Sequence, residues 1–178
     1  MYRAFERTAD ALAVTLALLG GVILIGIIVL TCISIVGRAF VPLDIGIGPI
    51  RGIYDMSEIG FAVAVFAFLP YSQMQQAHAR VDLLKPAFGT LANRSLELVF
   101  NLGMLLIAAI GTWRLYLGMV DKMRFGETTL IAQIPVWYGF AACLPGALGF
   151  VFVAAFCVSR STRALTAPRE KAHSHVQH

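Results

Sequence analysis

Histidines and cysteines are the side chains of this sequence best able to ligate a metal or a haem. Three of the four histidines lie in the C-terminal stretch HSHVQH, and the fourth, His78, lies just beyond an apolar segment. A haem inside a membrane needs axial histidines within the membrane-spanning segments. The three cysteines lie inside apolar segments without a CxxC spacing, which is typical of small buried residues. We therefore expect no cofactor and no metal site.

Catalytic motifs are also missing from the sequence. It contains no P-loop and no HExxH motif, and no nucleophile, base and orienting residue fall at one depth. A secondary transporter usually places polar groups near the middle of broken membrane helices. The apolar segments here have bare centres and one candidate break, at Pro145-Gly146. This pattern indicates a chain that is not an enzyme and has no substrate site of its own.

Composition indicates the environment of the chain. Of its 178 residues, 58% are hydrophobic and 13% are charged, too few charges to cover a soluble core. A helix needs about 20 apolar residues to cross the hydrocarbon core of a bilayer. Four segments have about this length or more: 11–36, 56–74, 95–120 and 135–158. The predicted fold class is therefore an all-α integral membrane protein with four transmembrane helices.

Two stretches beside these segments mix apolar and charged residues. Residues 2–10 and 80–92 have this pattern, which predicts short amphipathic segments at the membrane surface. We assign residues 1–160 to a single four-helix membrane domain. Residues 161–178 are polar and are assigned to a cytoplasmic tail.

The distribution of lysine and arginine predicts the orientation. With four spans, nine of these residues share one side with both termini and the 75–94 loop, and five lie on the other side. Because positive residues accumulate on the cytoplasmic side, both termini are predicted to be cytoplasmic. The net charge of +4 is thus explained by membrane topology. The lysines and arginines are not clustered with aromatic residues on one face, as they would be in a nucleic-acid-binding protein.

Small residues recur on one face of two segments. On a helix turning about 100° per residue, each set falls within about 80° of arc. The two sets are Gly60, Ala64 and Ala67, and Gly103, Gly111 and Gly118. Because small residues allow helices to approach closely in lipid, both faces predict packing against a larger membrane partner.

Ionisable residues lie near the ends of the apolar segments, where a charge close to the hydrocarbon core is costly. Arg38 leaves the first segment and Glu58 enters the second, both on the predicted outer side. They either pair with each other or extend separately toward the membrane surface. Arg114 is expected a turn or two from the outer end of the third segment, where it would extend toward the surface.

Several motifs follow one another along the chain. Arg38 lies in VGRAF, just after the first segment. Glu58, in DMSEIGFAVAVFAFLPY, is an acidic residue at the opening of the second segment, and His78 and Asp82 lie in the cytoplasmic-loop motif AHARVDLL. The entry to the fourth segment is GETTLIAQIPVWYGFAACLPGALGF, which contains Gly126, Thr128, Pro135 and Trp137. In their order and spacing, these motifs resemble the small membrane subunit of TRAP (tripartite ATP-independent periplasmic) transporters, the DctQ type.

The resemblance implies a scaffold role in sodium-driven uptake of an organic anion. In such transporters a large membrane subunit carries the substrate and sodium sites and moves as an elevator, while a soluble periplasmic protein captures the substrate. The small subunit would support the large subunit, contact membrane lipids, and offer an outer surface to the binding protein. Arg38, Glu58 and Trp137 are the candidates for that outer face.

Two other functions stay open at this point. A membrane-anchor subunit of an oxidoreductase would need haem-ligating histidines or a quinone pocket. A self-sufficient small transporter would need polar groups along a path through the middle of the membrane.

Overall fold

The chain folds into four long helices. The structure, a computed structural model, describes the backbone of residues 2–40, 50–84 and 90–166 and the side chains of residues 5–40, 50–75 and 95–163. The helices are α1 (Tyr2–Phe40), α2 (Ile53–Leu84), α3 (Thr90–Phe125) and α4 (Trp137–Thr166).

Each helix contains a stretch long and apolar enough to cross a membrane. These stretches are Phe5–Phe40, Ile53–Gln75, Ser95–Phe125 and Trp137–Arg163. Within the described ranges there is no strand, only an isolated antiparallel bridge between Thr128 and Pro135. The predicted all-α membrane fold with four spanning helices is therefore confirmed.

The helices continue beyond the apolar segments. Residues 2–10 form the first turns of α1, because no proline interrupts the chain before Phe40. Part of the 80–92 stretch likewise belongs to the end of α2 and the start of α3. Helix α4 runs to Thr166, past the end of the apolar segment. Residues 2–10, 80–84 and 90–92 are thus continuous with the spanning helices. The division at residue 160 stays a prediction.

Helix α4 lies at the centre of the bundle. It packs against α3 and α2, and α2 in turn packs against α1, whereas the described parts of α1 and α3 do not touch. Half of the most apolar window of α4 is buried, against 11% for α1 and for α3. The order across the bundle is therefore α1, α2, α4, α3, with the outer faces of α1 and α3 exposed.

Glycines allow the closest helix contacts. A Cβ atom on Gly146 of α4 would lie 2.7 Å from the carbonyl oxygen of Phe66 in α2, and one on Gly20 of α1 would lie 3.0 Å from the Ala67 Cβ. A Cβ on Gly60 would overlap the side chain of Ile27 in α1. The small face of α2 is therefore used inside this chain, where it brings α1 and α4 close to α2.

Candidate functional site

The connection between α3 and α4 forms a compact turn, which we call the α3–α4 hairpin (residues 126–136). Its start at Gly126 has a φ of +62°, a backbone conformation that glycine adopts without strain. The Thr129 N–H donates to the Ile134 carbonyl at 2.9 Å, and the Val136 N–H donates to the Glu127 carbonyl at 3.0 Å. The Ile134 N–H donates to the Thr129 hydroxyl oxygen. These bonds fix the backbone of the hairpin.

Asp55 attaches the hairpin to the first turn of α2. Its carboxylate oxygen Oδ2 accepts hydrogen bonds from the N–H groups of Ile131 at 3.0 Å and Ala132 at 2.8 Å. Gly52, just before α2, has a φ of +77°, and a Cβ there would lie 2.6 Å from the Ala132 Cβ. The next hairpin residue, Gln133, has a positive φ of 52°. The hairpin therefore rests directly on the beginning of α2.

The tip of the hairpin is apolar and exposed. Leu130 is 96% exposed, and Phe125 and Ile131 are also largely exposed. An ion pair between Lys122 and Glu127 lies beside them, at the end of α3. A single exposed leucine is ordinary, but two adjacent exposed apolar side chains on a fixed hairpin, Leu130 and Ile131, together with the exposed Phe125 at the end of α3, make a surface suited to contact with another molecule.

The end of the bundle that carries the hairpin also carries Arg38 and Glu58, two of the predicted outer-face residues, and both are exposed. Arg38 lies near the end of α1 and Glu58 lies in the second turn of α2, and no ion pair joins them within the described ranges. Trp137 begins α4 directly after the hairpin, and its ring contacts the tilted ring of Tyr138, with centroids 4.1 Å apart. The Ile50 N–H donates to the buried Ser34 hydroxyl, which connects α1 to the start of α2.

The predicted motif residues divide into two groups. Gly126, Thr128 and Pro135 all belong to the hairpin, where Thr128 and Pro135 form the isolated bridge. His78 and Asp82 lie in α2, but their side chains are outside the described part of the chain.

The small face of α3 is not one contact surface. Gly103 and Gly111 face open space, whereas a Cβ on Gly118 would lie 2.8 Å from the ring of Phe140 in α4. Gly118 therefore permits contact within this chain, and only Gly103 and Gly111 are left open for another molecule.

A buried polar cluster links three helices at the other end of the bundle. The Gln73 side-chain amide donates to the Asn101 side-chain oxygen at 3.3 Å, and the Asn101 amide donates to the Ser161 hydroxyl at 2.8 Å. The Ser161 hydroxyl donates to the Glu97 carboxylate at 3.4 Å. Gln73, Asn101 and Ser161 are buried. We call these four residues the polar clamp, since they join α2, α3 and α4.

Sequence reasoning assigned no role to Asp55 or to the polar clamp. An acidic residue in the first turn of a helix is a common stabilising feature, so Asp55 has no distinctive signal. The contact between positions 55 and 132 depends on the packing of α2 beside α4. Asn101 and Gln73 are polar residues near segment ends, but nothing in the sequence pairs them.

Metal ligation has no basis in the described side chains, among which no group of three or more His, Cys, Asp or Glu residues is close enough to hold an ion.

Comparison with known families agrees with this architecture. The chain matches the family described as tripartite ATP-independent periplasmic transporters, DctQ component, over residues 27–167. This range includes about the last third of α1 and all of α2, α3 and α4. Neither the curated proteins nor the solved structures gave a significant match. The chain belongs to the DctQ family and is a TRAP transporter small membrane component.

Proposed function

We propose that this chain is the scaffold subunit of a sodium-driven transporter for an organic anion. It supports a large membrane subunit that moves as an elevator, and it provides a docking surface for a periplasmic substrate-binding protein. The observation that carries the docking role is the α3–α4 hairpin, whose exposed apolar tip is held in place by Asp55. Membership in the DctQ family supports the rest.

The interior of the described helices supports a scaffold more than a substrate site. Between Asp10 and Arg38 in α1, and between Trp137 and Ser159 in α4, there is no charged residue. Recognition of an organic anion requires convergent polar groups. Substrate and sodium specificity therefore belong to the large subunit and the binding protein in this proposal.

The orientation that this function requires places the hairpin in the periplasm and both termini in the cytoplasm of a bacterial inner membrane. The nine-to-five division of lysine and arginine supports it. A Leu130→Cys variant on a background with the three native cysteines replaced by alanine should react with a membrane-impermeant maleimide added outside spheroplasts. Labelling only after the membrane is broken would show that the orientation is inverted.

Docking through the hairpin is tested by Leu130. Burial of a leucine side chain in an interface is worth about 1.5–3 kcal/mol. Leu130→Asp should therefore raise the binding-protein concentration that gives half-maximal uptake about tenfold or more. Reconstituted vesicles containing the complete membrane complex provide this measurement.

The matched control at this position is Leu130→Met, which keeps an apolar side chain of similar volume and should leave uptake unchanged. Both variants should assemble normally with the large subunit. Equal uptake by the Asp and wild-type proteins at every binding-protein concentration would exclude the hairpin tip from docking.

A further inference from the structure

The turn that precedes α2 (residues 50–52) is attached to two helices. The Ile50 N–H donates to the Ser34 hydroxyl oxygen of α1 at 3.3 Å. Two residues later, the Gly52 carbonyl accepts from the Met56 N–H at 3.1 Å, at the start of α2. The turn therefore connects α1 to the beginning of α2 through hydrogen bonds at both of its ends.

Gly52 also faces the α3–α4 hairpin. It is buried, and its φ of +77° lies in the left-handed region that favours glycine. A Cβ atom here would lie 2.6 Å from the Ala132 Cβ, 3.0 Å from the Ala132 Cα and 3.2 Å from the Ala132 nitrogen. Carbon atoms in contact are normally about 3.5–4.0 Å apart. Any side chain at position 52 would therefore displace the backbone of the hairpin.

The nitrogen of Ala132 is one of the two that donate to Asp55. The Asp55 carboxylate oxygen accepts from it at 2.8 Å and from the Ile131 nitrogen at 3.0 Å. Such bonds form over a narrow range of about 2.7–3.2 Å between nitrogen and oxygen. A shift of Ala132 by about 1 Å, enough to accommodate a Cβ atom on Gly52, would therefore strain or break both bonds. The missing side chain at Gly52 sets the separation at which Asp55 reaches the hairpin.

Ser34 connects α1 to this contact. Its side chain is buried, and among the described residues of α1 it is the one whose side chain hydrogen-bonds outside its own helix. The nearby Thr31 hydroxyl, by contrast, donates to the Ile27 carbonyl of α1 at 2.7 Å. Because Ile50 precedes Gly52 by two residues, the Ser34 bond restrains the position of Gly52 relative to α1.

We propose that Gly52 and Ser34 are positioning residues for docking of the binding protein. Gly52 allows the hairpin to approach α2 closely enough for Asp55 to hold it, and Ser34 fixes the turn that carries Gly52 to α1. The position of α1 is thereby transmitted to the exposed tip of the hairpin. The docking role of the tip rests on the proposed function, whereas the positioning of the hairpin is measured independently of it.

Gly52→Ala tests the close contact by hydrogen exchange in the complete membrane complex. The amides of Ile131 and Ala132 should exchange about tenfold faster, since they lose hydrogen bonds to a charged acceptor. Half-maximal uptake by the reconstituted complex should need about tenfold more binding protein, because the released tip must be ordered again on docking. The maximal rate at saturating binding protein should be unchanged, whereas a merely destabilised complex would also lose maximal rate.

A second substitution and a matched control accompany this variant. Ala132→Gly, added to Gly52→Ala, should restore part of both effects because it removes the Cβ atom nearest to the new side chain. Gly26→Ala adds a Cβ atom that meets nothing within 4 Å, so exchange and uptake should stay at wild-type values. Unchanged exchange at Ile131 and Ala132 in Gly52→Ala, or a loss of protection throughout α4, would overturn the role of Gly52.

Ser34→Ala tests the connection to α1 without adding atoms. The Ile50 amide should exchange about tenfold faster, and the Ile131 and Ala132 amides about threefold faster, with a matching rise in the binding-protein concentration for half-maximal uptake. Thr31→Ala is the control, because it removes a hydroxyl that bonds only within α1, and it should change none of these values. Wild-type exchange at Ile131 and Ala132 in Ser34→Ala would show that α1 does not position the hairpin.

Failure of the positioning role and failure of the docking role give different results. If the hairpin does not dock, exchange at Ile131 and Ala132 still rises in Gly52→Ala, but neither this variant nor Leu130→Asp changes the binding-protein concentration for half-maximal uptake. If Gly52 does not position the hairpin, exchange stays at the wild-type rate while Leu130→Asp still raises that concentration.

Discussion

Replacement of Asp55 by alanine is expected to release the α3–α4 hairpin and to reduce uptake at limiting binding-protein concentration by about tenfold, since it removes two hydrogen bonds to a charged acceptor. The Asp55 carboxylate is the acceptor for both Ile131 and Ala132, whose N–H groups lie next to the exposed Leu130. Without it, the hairpin keeps its internal bonds but loses this attachment to α2. The apolar tip then samples many positions, and ordering it again costs free energy on docking.

Hydrogen exchange measures this release directly. The amides of Ile131 and Ala132 should exchange faster in the Asp55→Ala variant, whereas the Val136 amide, which donates within the hairpin, should be less affected. Asp55→Asn keeps an uncharged acceptor and should give an intermediate result. Asp121→Ala is the matched control, because it removes an exposed acid at the same end of the bundle. Unchanged exchange at Ile131 and Ala132 in Asp55→Ala would exclude this role.

Apolar patterning was sufficient to predict the four helices, since each spanning segment is a long run of apolar residues. It could not predict their ends. The sequence does not show that charged turns at residues 2–10 continue α1, because this depends on neighbouring helices and on the position of the membrane surface. A break was expected at Pro145, but α4 continues through it, and α2 likewise continues through Pro70.

Small residues on one helix face indicate where another helix can approach closely, but the sequence does not show which helix each of them meets. Gly60 meets α1, Gly118 meets α4, and Gly111 meets no other helix of the described chain. The three occur in similar patterns along the sequence. The order α1, α2, α4, α3 across the bundle distinguishes them, and that order is a property of the packed structure.

The polar clamp is expected to make the largest single contribution of side-chain hydrogen bonds to the stability of the bundle. Asn101 of α3 accepts from Gln73 of α2 and donates to Ser161 of α4, and all three are buried. Asn101→Ala leaves both neighbours without this partner, and each buried polar group left unpaired costs about 1–3 kcal/mol. Measured hydrogen bonds between membrane helices are weaker, averaging about 0.6 kcal/mol. We therefore expect a loss of about 1–3 kcal/mol in the free energy of unfolding.

Two serines of α4 form a matched pair of positions. They distinguish the effect of losing a hydrogen bond between helices from the effect of losing a hydroxyl group alone. Ser161→Ala removes the bond to Asn101, whereas Ser159→Ala removes only a bond to the Phe156 carbonyl of the same helix. Unfolding of the isolated chain in mixed micelles, with increasing dodecyl sulfate, should show destabilisation by Ser161→Ala and a change within about 0.5 kcal/mol for Ser159→Ala. Because Asn101 and Ser161 share one bond, the double variant should cost less than the two single variants together. Strict additivity would show that the two side chains act independently, and the clamp would then not couple α3 to α4.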